Sequence, residues 1–205
     1  NFFINHAPEI TSLLYIGLIS ASENYFRNVL GFVLSICPEA RMKSAGQKTL
    51  LGSYLWGGPD LHNRNAFDQI SFTSSVDVRE TFNNYANHTI KQNGLWFKML
   101  KEYDKLCEIR HGIVHSGMIL SGKNALKIGL EPTKFATVVN PTYPTLQEAA
   151  SICTTMVQAA NNELFEALVT RWATSWRRLP SWNPRKEAKL IKSIYLACRS
   201  DKDFM

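Results

Sequence analysis

The chain has 205 residues, of which 45% are hydrophobic and 20% are charged, a composition typical of a soluble globular domain with one sizeable core. No run reaches the roughly 18 uncharged apolar residues of a membrane span, which argues against a spanning protein, and no membrane partner is expected. The formal net charge of +6 favours an anionic partner such as nucleic acid.

The first predicted element is a long helix over residues 8–36. Pro8 suits a first helical turn, apolar residues then recur at helical spacing, and Pro38 ends the pattern. Two apolar sets lie on opposite sides of its helical wheel, so we expect burial on both sides, against the core or against a partner. Residues 38–80 are rich in Gly, Ser and Asn and predict loops and short turns.

Two further helices are predicted over residues 76–93 and 95–116, with Asn93 and Gly94 interrupting the pattern between them. Over residues 118–143 the helical period is lost, which predicts an irregular or short β excursion.

A long helix is predicted over residues 145–179. The sequence "TLQE" fits a capping box with Thr145 as the cap and Glu148 three residues later. Together these elements predict a single, mostly α domain over residues 1–205.

The segment "EIRHGIVHSG" places Arg110, His111 and His115 within the helix predicted over residues 95–116. On the helical wheel Arg110 falls near the centre of the apolar face, and the two histidines fall at its edge. A guanidinium cannot lose its proton, so it must pair with an anion or line a cleft. A buried arginine satisfied by a carboxylate and carbonyls is one alternative. A phosphate-binding site is the other, because histidine transfers protons near neutral pH and arginine binds phosphate bidentately.

The spacing of Arg110, four residues and His115 resembles the RxxxxH motif of the HEPN superfamily of α-helical ribonucleases. "LCEIRHGIVHSGMIL" is similar to the motif helix of that family. "SENYFRNVLGFVL" is similar to its first helix, with Glu23 at the acidic position. The resemblance implies a HEPN-like helical bundle. This chain departs from many active members of the family at His111, where those members have Asn or another polar residue.

The resemblance implies a metal-independent endoribonuclease of toxin or antiphage-defence type. In such an enzyme the RNA 2′-hydroxyl attacks the adjacent phosphate, His115 acts as general base or acid, and Arg110 holds the phosphate. The predicted catalytic residues are Arg110, His115, His111 and Glu23. No cofactor is implied, and the family pairs two motifs in one cleft of a homodimer. Expected partners are RNA, with tRNA as one candidate, and an antitoxin or regulatory protein. The alternative is a catalytically inactive HEPN-like module that binds a protein or nucleotide.

Other histidine chemistry is open to the same residues. His111 and His115 are four apart and could bind a metal from one helical face, with Asp104 or Glu108 as third ligand. We rank this site below the nuclease site, because the HExxH pattern is absent. The remaining histidines, in polar stretches or beside Pro8, are predicted to be solvated: His6, His62 and His88.

The C-terminal segment mixes tryptophans with basic residues and includes a last helix predicted over residues 184–198, begun by Asn183 and Pro184. Such mixing suits RNA, through phosphate neutralisation and base stacking. The predicted RNA-binding residues are Arg177, Arg178, Arg185, Lys186 and Lys189. Inward-packed tryptophans with solvated charges, or a protein-docking face, are the alternatives.

Two smaller expectations follow. Glu23 and Arg27 are four apart and could simply pair with each other. The four cysteines lie far apart without a CxxC pair, which predicts buried free thiols in a reducing cytoplasm.

Overall fold

The computed structural model describes residues 6–56, 58–131 and 137–198. These residues form a mostly α-helical protein with a two-stranded antiparallel sheet. The elements are α1 (Ala7–Ile36), α2 (Pro38–Ser44), α3 (Leu51–Leu55), α4 (Gly58–Asn65), α5 (Ser75–Ala86), α6 (Leu95–His115), β1 (Ile119–Leu120), α7 (Gly122–Lys127), β2 (Thr137–Val138), α8 (Tyr143–Thr174) and α9 (Glu187–Cys198). Among the described residues no helix combines the length and apolar character needed to cross a membrane.

The core lies where α1, α5, α6 and α8 meet. Aromatic rings connect three of these helices. Phe26 of α1 packs edge-on against Phe82 of α5 with centroids 6.1 Å apart, and against Tyr103 of α6 at 6.3 Å. Phe82 in turn packs against Trp96 at 4.9 Å. Edge-to-face contacts of this kind add to the stabilisation that burial itself provides.

The first helix is confirmed, but only one of its two apolar sides is uniformly buried. The set containing Tyr15, Ile19 and Phe26 is almost fully buried. On the other side Leu14 is 56% exposed, and its neighbour Leu13 is 68% exposed. Within the chain, the expected burial of both sides therefore fails at the start of α1.

The prediction of loops over residues 38–80 is wrong in part, because three short helices form there. The Cys37 sulfur caps the start of α2 by accepting a hydrogen bond from the Ala40 amide. Pro38 is the first residue of α2, where a proline needs no amide hydrogen, and it follows directly after the end of α1. The third of these helices, α4, lies hard against α1. A Cβ on Gly31 would come within 2.8 Å of the Arg64 backbone, so only glycine permits this approach.

The helix predicted over residues 76–93 ends early, at Ala86. Asn87 adopts a left-handed conformation with φ of 50°, and the amide of the next residue, His88, donates a hydrogen bond to the Phe82 carbonyl. Asparagine tolerates this conformation and ends helices in this way. Residues 87–94 therefore form a loop before α6, whose bounds agree with the prediction.

The start of α8 is also corrected. The cap is Thr142 and not Thr145: Thr142 accepts a hydrogen bond from the Thr145 amide, and the Thr145 hydroxyl accepts one from the Thr142 amide. Tyr143 and Pro144 then form the first turn, where a proline needs no amide hydrogen. The predicted Thr145–Glu148 box is wrong. The helix ends at Thr174, followed by a short 3₁₀ turn over Trp176–Arg178.

The last helix starts three residues later than predicted. The Asn183 side chain accepts a hydrogen bond from the Arg185 amide and caps a 3₁₀ turn over Pro184–Lys186, and α9 follows from Glu187. Between residues 118 and 143, Ile119 pairs with Val138 in the small sheet, and α7 lies between the strands. Residues 132–136 of this excursion lie outside the described residues. All four cysteines are buried free thiols.

Candidate functional site

The three titratable residues of the motif lie together at the end of α6. The His111 and His115 rings are both exposed, with centroids 4.9 Å apart. Arg110 is half-buried, and its Nη1 atom lies 3.4 Å from Nε2 of His115. The helix thus joins a guanidinium and two imidazoles at the surface.

Arg110 is neither sealed in the core nor fully satisfied. Its Nε atom is buried and has no hydrogen-bond partner among the described residues, while Nη1 faces His115. A buried donor without a partner is uncommon in folded proteins. Nε is too buried to meet an incoming anion, so the Nη groups are the donors that an anion could contact, and no carboxylate among the described residues neutralises this arginine.

The contact between Arg110 and His115 specifies a form of the imidazole. A guanidinium only donates hydrogen bonds, so the facing Nε2 of His115 must act as acceptor. The proton of neutral His115 then lies on Nδ1. Nε2 can act as a general base towards another group only when Nη1 of Arg110 no longer occupies this lone pair.

Two glycines near the end of α6 have different roles. A Cβ on Gly112 would lie 3.2 Å from a methyl group of Leu120 and 3.3 Å from the Ile119 carbonyl, so the small sheet packs directly on this face of α6. Gly117 has a φ of 59°, the left-handed conformation that commonly ends helices. Helix termination therefore belongs to Gly117, whereas Gly112 serves close packing.

Glu23 forms an ion pair with Arg27 at 3.2 Å, as the i, i+4 alternative predicted. The pKa of the Cys107 thiol is raised mainly by burial and further by nearby carboxylates, among them that of Glu23. Cys107 precedes Arg110 by one turn of α6, about 5 Å along the helix. The hydrogen-bonded partner of Glu23 is therefore Arg27 of its own helix, and its charge acts on α6 at Cys107.

The metal-binding alternative gains no third ligand. The Asp104 carboxylate accepts hydrogen bonds from both the amide and the hydroxyl of Ser75, at the start of α5. Glu108 pairs with Lys127 of α7. Across the described ranges, no three His, Cys, Asp or Glu side chains cluster closely enough to hold a metal ion.

All five predicted RNA-binding residues are exposed, and one of them, Arg177, is also engaged by other side chains. Arg177 pairs with Glu187 at 2.6 Å and stacks over the Trp172 ring at 4.4 Å, so its charge is already used within the fold. Trp176 is buried, which agrees with inward-packed tryptophans. The other four predicted RNA-binding residues are exposed to solvent: Arg178, Arg185, Lys186 and Lys189.

The histidine predictions outside the motif are mixed. His6 is exposed and His62 is half-buried. The prediction of a solvated His88 is wrong: this ring is buried, stacks on Trp96, and bonds through Nε2 to the Glu163 carboxylate at 3.0 Å.

A cavity of about 250 Å³ beside α6 had no counterpart in the sequence pattern. Its lining includes Tyr15, Ile109, Val139 and Glu148. Ile109 and His111 are two residues apart, which places them roughly 200° apart around the helix. The cavity therefore opens on a different side of α6 from the histidines.

Comparisons of the chain with protein-family models, with curated proteins and with solved structures found no match. What the site does must accordingly be inferred from its own geometry.

Proposed function

We propose that the chain is a metal-independent endoribonuclease of toxin or antiphage-defence type. The observation that carries this proposal is the 3.4 Å approach of Arg110 Nη1 to Nε2 of His115 at an exposed helix end. A phosphate clamp and a proton acceptor next to each other are the two groups that RNA transesterification needs first.

In this mechanism the Nη groups of Arg110 bind a phosphodiester. His115 removes the proton from the ribose 2′-hydroxyl, and the resulting oxygen attacks the phosphorus. The bond to the 5′-oxygen breaks, leaving a 2′,3′-cyclic phosphate, and the departing oxygen takes a proton to become a 5′-hydroxyl. His111, or a histidine of a second copy, supplies that proton. Arg110 stabilises the extra negative charge that develops on phosphorus.

The exposure of the site favours this proposal over an inactive binding module. A silent module predicts Arg110 sealed beneath apolar side chains. Arg110 is only half-buried, and both histidines reach solvent. RNA could therefore reach the guanidinium and the imidazole at the same time.

Cleavage of total RNA or tRNA is expected to continue in EDTA, because the attacking group belongs to the RNA and no metal is required. A 2′-deoxy substitution at the cut site should block cleavage there, since it removes the nucleophile. Product ends identified by mass spectrometry should carry a cyclic phosphate. Activity lost in EDTA and restored by zinc or manganese would instead favour a metal held by His111 and His115.

The exposed basic residues of the C-terminal segment are proposed to bind the RNA backbone. The double variant Lys186→Glu with Lys189→Glu should weaken RNA binding and reduce the slope of log affinity against log salt by roughly one for each phosphate that is no longer neutralised. The matched control is Arg177→Gln, whose charge already pairs with Glu187 and which should change the slope less. An unchanged slope in the double variant would mean that these two lysines bind no phosphate.

We also propose a homodimer in which two copies of the motif share one cleft. A two-fold axis presents the same patch twice, so one short motif supplies a second histidine as proton donor and a second arginine. Val114, beside His115, is 41% exposed, and Leu13 and Leu14 are exposed at the start of α1. These apolar side chains offer surface that a second copy can bury.

Light scattering at micromolar concentration is expected to give about twice the mass of one chain. Mixing wild type with excess Arg110→Ala chains should reduce cleavage more than dilution alone, because mixed dimers lose one arginine of the cleft. An active monomer would contradict the shared cleft, as would a linear loss of activity on mixing.

A further inference from the structure

The segment around α3 exposes a run of large apolar side chains. Leu50, Leu51, Leu55 and Trp56 are respectively 53%, 70%, 59% and 72% exposed. Single exposed apolar residues are ordinary on protein surfaces, but a cluster of large ones marks a contact site. We call these four residues the α3 apolar run.

The run is held to the body of the protein through its main chain. The Asn65 side-chain amide donates a hydrogen bond to the Trp56 carbonyl at 3.0 Å, and the Gln69 amide donates one to the Lys48 carbonyl at 3.5 Å. The backbone is thereby fixed at both ends of the run while the leucine and tryptophan side chains remain outside the core. The position of the run therefore does not depend on burying its own apolar groups.

The charges that flank the run in the sequence are mainly positive. Arg41, Lys43 and Lys48 precede it, and Asp60 follows Trp56 by four residues. The Arg41 guanidinium is engaged by the Leu34 carbonyl at 2.8 Å, whereas Lys43 and Lys48 are exposed. The surface that complements this region must accept leucine and tryptophan side chains and carry negative charge. A second copy fits poorly, because a two-fold contact would bring the same lysines together.

We propose that the α3 apolar run docks on an anionic lipid surface. Leucine and tryptophan side chains enter the boundary between headgroups and acyl chains, and nearby lysines are attracted by anionic headgroups. Tryptophan in particular favours that boundary, because its ring is apolar and its N–H is polar. The expectation of no membrane partner rests on the absence of an apolar run long enough to span a bilayer, and docking on the surface of a bilayer needs no such run. The inference does not depend on the nuclease proposal.

The test is sedimentation of the full chain with vesicles of phosphatidylcholine alone or mixed with phosphatidylglycerol. We expect binding to the mixed vesicles and much weaker binding to the neutral ones. The variant Leu51→Ser with Trp56→Ser should lower partitioning by more than about tenfold, since two large apolar groups stay in water. The variant Lys43→Gln with Lys48→Gln should lower it by about fivefold for each lysine.

Matched control variants remove the same types of side chain from other parts of the protein surface. Leu126 of α7 is 61% exposed, so Leu126→Ser tests a generic apolar loss. Lys98 and Lys123 are exposed, and the variant that changes both to glutamine tests a generic loss of two charges. None of these changes should reduce partitioning as strongly as its counterpart in the α3 region.

Tryptophan emission gives an independent readout. Trp96 and Trp176 are buried, whereas Trp56 is largely exposed and should shift to the blue on mixed vesicles. Trp56→Phe should bind as well as wild type but lose that shift. Failure to bind mixed vesicles would overturn the proposal. A loss of vesicle binding only in the Lys186→Glu, Lys189→Glu variant would also overturn it. Apolar variants that bind vesicles normally but change the mass of the lipid-free protein would overturn it too, and would indicate a protein partner.

Discussion

Replacing Arg110 or His115 with alanine is expected to reduce RNA cleavage by about 10²–10⁴-fold each, the range for losing a charge-stabilising donor or a general base. The fold should persist, because His115 is exposed and the guanidinium of Arg110 has a buried Nε without a partner among the described residues. Initial rates on total RNA and tRNA measure the loss, and thermal unfolding of each variant checks the fold.

Three further variants separate chemistry from charge. Arg110→Lys keeps a positive charge but loses the planar bidentate donor, so it should restore only part of the activity. Lys98→Ala removes an exposed cation from the same helix and should cleave normally. His111→Asn should be milder than either alanine variant, since an amide retains polar contacts. Wild-type cleavage by Arg110→Ala or His115→Ala would contradict the assignment of the site.

The meeting of Arg110, His111 and His115 could be predicted from the sequence because it is local. A single helix sets the directions of all three side chains, and apolar periodicity predicted that helix. What could not be predicted is what surrounds them. The packing of the small sheet on Gly112 depends on Leu120, which lies across a turn whose geometry the sequence pattern left open.

Predictions from the sequence failed in two situations. Either two nearby residues carried the same helix-ending or capping signal, or the contact partner lay far away in the sequence. Asn87 and the Asn93–Gly94 pair both carry helix-ending signals, and the helix stops at the first of them. Thr142 and Thr145 both suit a cap, and the structure uses Thr142. His88 lies in a polar stretch, but its partner Glu163 is 75 residues away, beyond the reach of any local pattern.

Glu163→Ala is expected to lower the free energy of unfolding by about 2–5 kcal/mol. One carboxylate oxygen of this buried residue accepts hydrogen bonds from His88 Nε2 at 3.0 Å and from the Lys91 amide at 2.9 Å. These bonds fix the loop between α5 and α6 against α8. Alanine would leave the buried His88 ring and the Lys91 amide without this acceptor, and removing one partner destabilises more than removing both. Denaturant unfolding gives the change in free energy.

Glu166 provides a matched control on the same helix. Its carboxylate pairs with the Lys91 side chain at 2.7 Å, but both groups are exposed, so Glu166→Ala should change the unfolding midpoint little. Glu163→Gln keeps a carbonyl oxygen for the two donors and should lose less stability than Glu163→Ala. Equal losses from Glu163→Ala and Glu166→Ala would contradict the role of the buried carboxylate.

The same pair predicts how stability depends on pH. Burial lowers the pKa of His88 below its ordinary value of 6.5, although Glu163 opposes the shift, while Arg171 and Lys91 add to it. The unfolded chain therefore takes up this proton first as the pH falls, and binding it there favours unfolding. The stability that neutral His88 contributes is fully present above about pH 6.5 and is lost as the pH falls through the lower pKa of the folded state. In His88→Gln this part of the slope should disappear, even though the variant starts from lower stability. A slope that survives unchanged would assign the pH dependence to other groups.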